Sequence, residues 1–113
     1  MDEITLTGNT KVVELNNNKI NEFIINPTKY NFKLCNQAEL KGGSPSKNAE
    51  KMRNLFKGEK GHYRNIVILN AAAAFCISDS VKTYEEGIEL ATHIIDRGSA
   101  IETLNNLIEI TNK

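Results

Sequence analysis

The chain contains no tryptophan, only two prolines, two cysteines and 6% aromatic residues. Cys35 and Cys76 stand far apart in sequence, so a single disulfide is open to them, while the missing Cys-x-x-Cys spacing argues against a metal-binding or functional-thiol role. Cys76 lies inside an apolar helical run, where a free thiol serves as a small hydrophobe, and reduced cysteines fit a cytoplasmic location. An excess of one charge is missing too. Lysine plus arginine and aspartate plus glutamate number 14 each, so the formal net charge is 0 and no basic surface recommends nucleic acid. The longest apolar run, from Ile66 to Ile77, is interrupted by Asn70 and falls short of the ~20 residues of a membrane span. No charged segment precedes an apolar one at the start, so no signal peptide is visible.

What is there is ordinary globular chemistry. At 113 residues, 40% hydrophobic and 25% charged, one ordered domain with a modest core is expected. Thr10 to Leu15 and Ile20 to Ile25 are β-branched, apolar-rich runs separated by Asn16-Asn17-Asn18-Lys19, a turn that tolerates positive φ; together they predict a β-hairpin. Pro27 ends the second strand. From Thr28 to Gly43 the pattern is irregular, with Asn36 to Leu40 either one helical turn or loop.

Helical grammar then takes over. Ser44 is a suitable N-cap before Pro45, and Ala49, Met52, Leu55 and Phe56 form a stripe that Gly58 closes. The next helix is expected from Asn65 as N-cap to about Ile77, apolar on nearly every face and therefore central, with Ala71 to Ala74 letting it approach a sheet closely. Thr83-Tyr84-Glu85-Glu86 predicts a capping box, with Tyr84, Ile88, Ala91 and Ile95 on one face and Gly98 as the stop. Ser99-Ala100-Ile101-Glu102 predicts a second box, opening a last helix whose Ile101, Leu104, Leu107 and Ile108 face the core.

Few residues invite chemistry. Asp2 and Glu3 are adjacent carboxylates ahead of a β-branched run. Neighbouring side chains on a regular strand point to opposite faces, so such a pair shares an ion only on irregular backbone. Mg²⁺ prefers oxygen ligands and commonly takes one or two carboxylates plus substrate phosphates. Thr5, Thr7, Gly8 and Thr10 suit either a phosphate-contacting loop or a turn, and turn chemistry is the favoured reading. Lys41-Gly42-Gly43-Ser44 lacks the spacing of a phosphate loop and is taken as a helix start. His62, expected in a loop, and His93, in a helix, have no partner at metal-ligand or nucleophile spacing.

Three passages carry a resemblance. DEITLTGNTKVVEL, ELKGGSPSKNAEKMRNLFKGEKG and IVILNAAAAF are similar, in order and spacing, to the C-terminal part of the anthranilate phosphoribosyltransferase family, over essentially all 113 residues. The resemblance implies the fold class α/β: residues 1–113 as the C-terminal part of one nucleoside phosphorylase/phosphoribosyltransferase-type domain, a hairpin followed by about four helices. It implies Asp2 and Glu3 as ligands of the magnesium that accompanies phosphoribosyl pyrophosphate, with anthranilate as acceptor in tryptophan biosynthesis. It places the family's N-terminal helical domain and diphosphate loop outside this chain, so the chain alone is expected to be inactive and its bared sheet edge to self-associate. Asn9 stands where the family commonly has proline, and Ser44 where it often has aspartate. The alternatives are a non-catalytic binding or interaction module of the same fold, and a nucleoside-specific phosphorylase or transferase.

Overall fold

Thr10–Asn16 (β1) and Lys19–Ile25 (β2) pair antiparallel, with Thr10 opposite Ile25 and Asn16 opposite Lys19. The connecting turn is tighter than expected. It consists of Asn17 and Asn18 alone, at φ 50° and 61°. A two-residue turn with both φ positive matches the right-handed twist of its strands, and asparagine is among the few L residues that accept it. The computed structural model describes all 113 residues, and the helices after the hairpin are Pro45–Phe56 (α1), His62–Ile77 (α2), Tyr84–Asp96 (α3) and Ser99–Thr111 (α4). Hairpin first and four helices after is the expected order. Between them run two 3-10 turns, Pro27–Tyr30 and Gln37–Leu40, the second resolving the choice at Asn36 to Leu40 in favour of a helical turn.

The caps explain where each helix starts. Ser44 Oγ accepts the Lys47 N–H, with Pro45 at the first helical position as expected. At α3 the box is half formed: Thr83 Oγ1 accepts the Glu86 N–H, while the Glu86 carboxylate takes the Lys82 N–H instead of the one on Thr83. Two starts differ from expectation. Helix α2 begins at His62, not after Asn65, because Gly61 at φ 142° supplies a backbone kink that no side-chain cap could; His62 is accordingly helical. Helix α4 has no capping box either, since Gly98 at φ 84° turns the chain directly out of α3 and Ser99 Oγ is occupied by the Arg97 Nε–H.

Helix α2 is central because it serves two apolar clusters. Leu69 joins Ile4, Leu6 and Ile25 on the hairpin side. One residue earlier, Ile68 packs with Leu55, Ala91 and Ile95 between α1, α2 and α3. The small residues do not chiefly serve the sheet. Ala72 is fully buried against Gly87 of α3, where a Cβ would lie 2.7 Å from the Ala72 carbonyl oxygen. That contact sets the α2–α3 spacing, and Tyr84, at the start of α3, donates its hydroxyl proton to the Leu69 carbonyl at 2.8 Å. Burial pushes the Tyr84 phenol well above its usual range, with Tyr30 and Cys76 nearby adding to it.

The last helix departs from its expected role. No residue of α4 is buried, Ile101 and Leu104 are only half-buried, and Leu107 and Ile108 are exposed. Its apolar stripe is real, but nothing in these 113 residues lies over its second half.

Substituting Gly87→Ala sets two effects against each other. Alanine favours a helix by about 1 kcal/mol over glycine, whereas forcing a methyl into a packed backbone contact costs typically 1–3 kcal/mol. Because the obstructing atom is main chain, the clash wins, and the urea midpoint of Gly87→Ala falls below that of the native chain. Tyr84→Phe lowers stability by about 1 kcal/mol through the lost hydrogen bond, which the same titration measures.

Candidate functional site

The segment carrying Asp2 and Glu3 is not a strand. It is irregular backbone with a bend at Glu3, lying upstream of β1 and not at a strand end. Its course is set by the anchored residues Ile4 to Leu6. Ile4 and Leu6 are buried in the core, Leu6 completely. The Ile4 N–H donates to Asn70 Oδ1 at 2.9 Å and the Ile4 carbonyl accepts from Asn70 Nδ2 at 2.9 Å. The Leu6 carbonyl accepts the Cys35 N–H, and the Thr5 N–H donates to Thr10 Oγ1. Asp2 and Glu3 therefore project from an anchored base, and both are exposed.

Around them lies a polar cleft of about 380 Å³, lined by Asp2, Glu3, Thr5, Thr7, Thr10 and Lys11 among others. Asp2 also borders a larger apolar groove of about 610 Å³ beneath the hairpin, walled by Val12, Phe23, Tyr30, Cys76 and Tyr84. Thr5 and Thr7 fulfil the turn reading: Thr5 Oγ1 accepts the Thr7 N–H at 3.0 Å and meets the Thr7 hydroxyl at 2.8 Å. The Gly42-Gly43 passage is closed to phosphate. The Gly43 N–H donates to Asn48 Oδ1 and the Gly43 carbonyl accepts from Asn48 Nδ2, so the amide a phosphate would need is already used.

The donor set at Asp2 and Glu3 fits a hard cation of one kind. Neither carboxylate has a salt-bridge partner in the chain, and no cluster of three or more His, Cys, Asp or Glu residues assembles anywhere. Two carboxylates are too few for a closed structural zinc or calcium site. They suffice for Mg²⁺, which keeps several waters and completes its shell with substrate phosphates.

The histidines and cysteines form no catalytic pair. His62 Nε2 lies 3.5 Å from Glu39 Oε1, and His93 is exposed. Both thiols are free, and each is held above its usual pKa, Cys35 by burial and then Glu39, Cys76 by burial and then Glu14, Glu85 and Glu86. Raised thiol pKa values oppose a nucleophilic role. What sequence reasoning missed is Asn70. Its signal was present as the polar interruption of the apolar run, but the partner that explains it lies 66 residues away.

A family model described as "Glycosyl transferase family, a/b domain" matches residues 1–101. The chain belongs to this family. Within the glycosyl transferase family it is 46% identical over 111 residues to the anthranilate phosphoribosyltransferase of Phenylobacterium zucineum, covering 98% of this chain and 33% of that protein. The crystal structure of anthranilate phosphoribosyltransferase from Thermus thermophilus superposes with a TM-score of 0.90 at 31% identity, over 100% of this chain and 33% of its own. A variant of the Saccharomyces cerevisiae enzyme described with Mg bound superposes at 0.83 with 23% identity, a likeness of fold. The chain thus spans about a third of the length of the relatives it matches, and its hairpin and helices correspond to the C-terminal part of their α/β fold. No helix is long and apolar enough to cross a membrane.

One prediction concerns the thiols. The alkylation rate of Cys35 and Cys76 with iodoacetamide, followed by mass spectrometry across pH, should rise with midpoints above the ~8.5 of a free cysteine. A midpoint near neutrality at either residue would restore a reactive-thiol reading.

Proposed function

We propose that this chain is the C-terminal part of the α/β domain of an anthranilate phosphoribosyltransferase, in which Asp2 and Glu3 hold the Mg²⁺ that accompanies phosphoribosyl pyrophosphate. The observation that carries the reading is likeness to anthranilate phosphoribosyltransferases across nearly the whole chain, with the paired carboxylates presented free in a polar cleft. In this reaction the anthranilate amine forms the new N–C1 bond and loses a proton, while pyrophosphate departs with the electrons of the C1–O bond. Magnesium, when bound, stabilises the charge that gathers on the pyrophosphate. The chain's own part is positional. Ile4 and Leu6 anchor the segment, Asp2 and Glu3 face the cleft, and Thr5, Thr7 and Thr10 line it beside them. The family's N-terminal helical domain and its diphosphate loop belong to the remaining two thirds of such an enzyme, and the reaction is a cytoplasmic step of tryptophan biosynthesis.

In the intact enzyme carrying this segment, Asp2→Asn with Glu3→Gln keeps size and polarity but removes the charge a hard cation requires. Losing one such transition-state stabiliser costs on the order of 10²-fold in kcat, while an exposed polar exchange changes stability by about 0.5 kcal/mol or less. A Mg²⁺ titration of the rate checks this, and an unaltered rate with unaltered metal dependence returns both residues to plain surface. The 113-residue chain by itself should consume no anthranilate in the presence of phosphoribosyl pyrophosphate and Mg²⁺, as read by anthranilate fluorescence; consumption proportional to chain concentration would contradict the assignment of the diphosphate-gripping residues to the other two thirds.

We also propose that the isolated chain self-associates through its hairpin. Val13, Leu15, Ile20 and Ile24 are exposed together on the outer face of a two-stranded sheet whose edges are unpaired, the condition that favours edge-to-edge pairing. Light scattering should give a mass above one chain that falls on dilution. A single-chain mass over a wide concentration range would overturn it.

A further inference from the structure

Asn70 makes three hydrogen bonds with its side chain, all to backbone and all at 2.9 Å. Its Oδ1 accepts the Ile4 N–H and its Nδ2 donates to the Ile4 carbonyl and to the Ile66 carbonyl one turn earlier on α2. The bond to Ile66 fixes which way round the carboxamide lies, because only nitrogen can donate to a carbonyl. The two bonds to Ile4 then act as one rung of a β ladder supplied by a side chain.

Their effect falls on the carboxylates. The Ile4 N–H belongs to the peptide joining Glu3 to Ile4, and the Ile4 carbonyl to the peptide joining Ile4 to Thr5. Clamping both fixes the Cα and the carbonyl carbon of Glu3, so the Glu3 side chain starts from a fixed point and moves only by rotation about its Cα–C bond and its own torsions. Burial of Ile4 and Leu6 and the backbone bonds of Thr5 and Leu6 hold the segment from residue 4 onward, and among these contacts only the Asn70 bond to the Ile4 N–H reaches the peptide that carries the Glu3 carbonyl. Two carboxylates share a small cation only when their oxygens converge on one point at about 2.1 Å each, so a fixed origin for the Glu3 side chain matters.

We propose that Asn70 is the positioning residue of the Asp2–Glu3 cation site, an inference that rests on the metal reading above. Asn70 touches neither cation nor substrate; it acts through the Ile4 backbone. Asparagine alone satisfies the geometry, since leucine would orphan both Ile4 groups and aspartate would set an oxygen against the Ile4 carbonyl.

The test uses the 113-residue chain and Mn²⁺ alone as a paramagnetic probe, read as broadening of backbone amide signals near residue 5 as Mn²⁺ is added. Loss of an outer residue that orients a metal ligand costs about 10–100-fold in affinity, so Asn70→Ala should need at least about 10-fold more Mn²⁺ for half-broadening at Thr5. Tyr84→Phe, which removes a different hydrogen bond to α2, should leave the titration where it was. Equal titrations for Asn70→Ala and the native chain, or an equal shift in Tyr84→Phe, would overturn the proposal. If Asn70→Ala loses its dispersed amide spectrum, Asn70→Gln decides instead: it retains the carboxamide one methylene too far out, and a native titration in that variant overturns the proposal. Asp2→Asn with Glu3→Gln separates the two readings. A native-like titration in that double variant means the carboxylates hold no cation and both readings fall; a lost response there beside a native response in the Asn70 variants means that only the positioning role falls.

Discussion

One carboxamide ties the start of this chain to its middle. Without Asn70, the passage from Met1 to Leu6 would rest on α2 through apolar burial only, and the backbone groups of Ile4 would lose their partners. An unsatisfied buried backbone group costs about 1–3 kcal/mol, comparable to burying a side chain such as Ile4. The same device recurs on a smaller scale where Asn48 brackets the backbone of Gly43 at the start of α1. In both places an asparagine does for an irregular segment what a neighbouring strand would do for a regular one.

That tie gains meaning from the layers on either side. Helix α2 is held at fixed distance from α3 by Ala72 against Gly87, and its neighbouring Leu69 receives Ile4, Leu6 and Ile25. The rigid helix pair is therefore the platform on which the carboxylate segment sits. Where the chain carries apolar surface and no platform, on the outer face of the hairpin and along the second half of α4, it exposes that surface. An apolar stripe that meets nothing is the pattern of a layer without its opposing layer.

Much of this was legible in the sequence. The β-branched runs around Asn17-Asn18 announced the hairpin, and Ser44-Pro45 and Thr83 announced two helix starts, because those signals are local and chemical. The starts of α2 and α4 were not, since glycines at positive φ carry them in place of the capping residues expected nearby. Burial was misjudged for α4 for a different reason. Periodicity reports that a helix has an apolar face and says nothing about what covers it. Asp2 and Glu3 were visible as a pair, and family likeness gave them a task, but their anchoring was not: Ile4 and Asn70 are joined across 66 residues, and no spacing rule connects them.

The central claim is that the backbone beneath the carboxylates is clamped while the carboxylates themselves stay free. Amide hydrogen exchange of the chain measures this residue by residue. The account predicts that the Ile4 amide exchanges slowly, in the company of Cys35 and the interior of α2, while Asp2 and Glu3 exchange at the rate of unstructured backbone. An Ile4 amide exchanging as fast as its two acidic neighbours would contradict it.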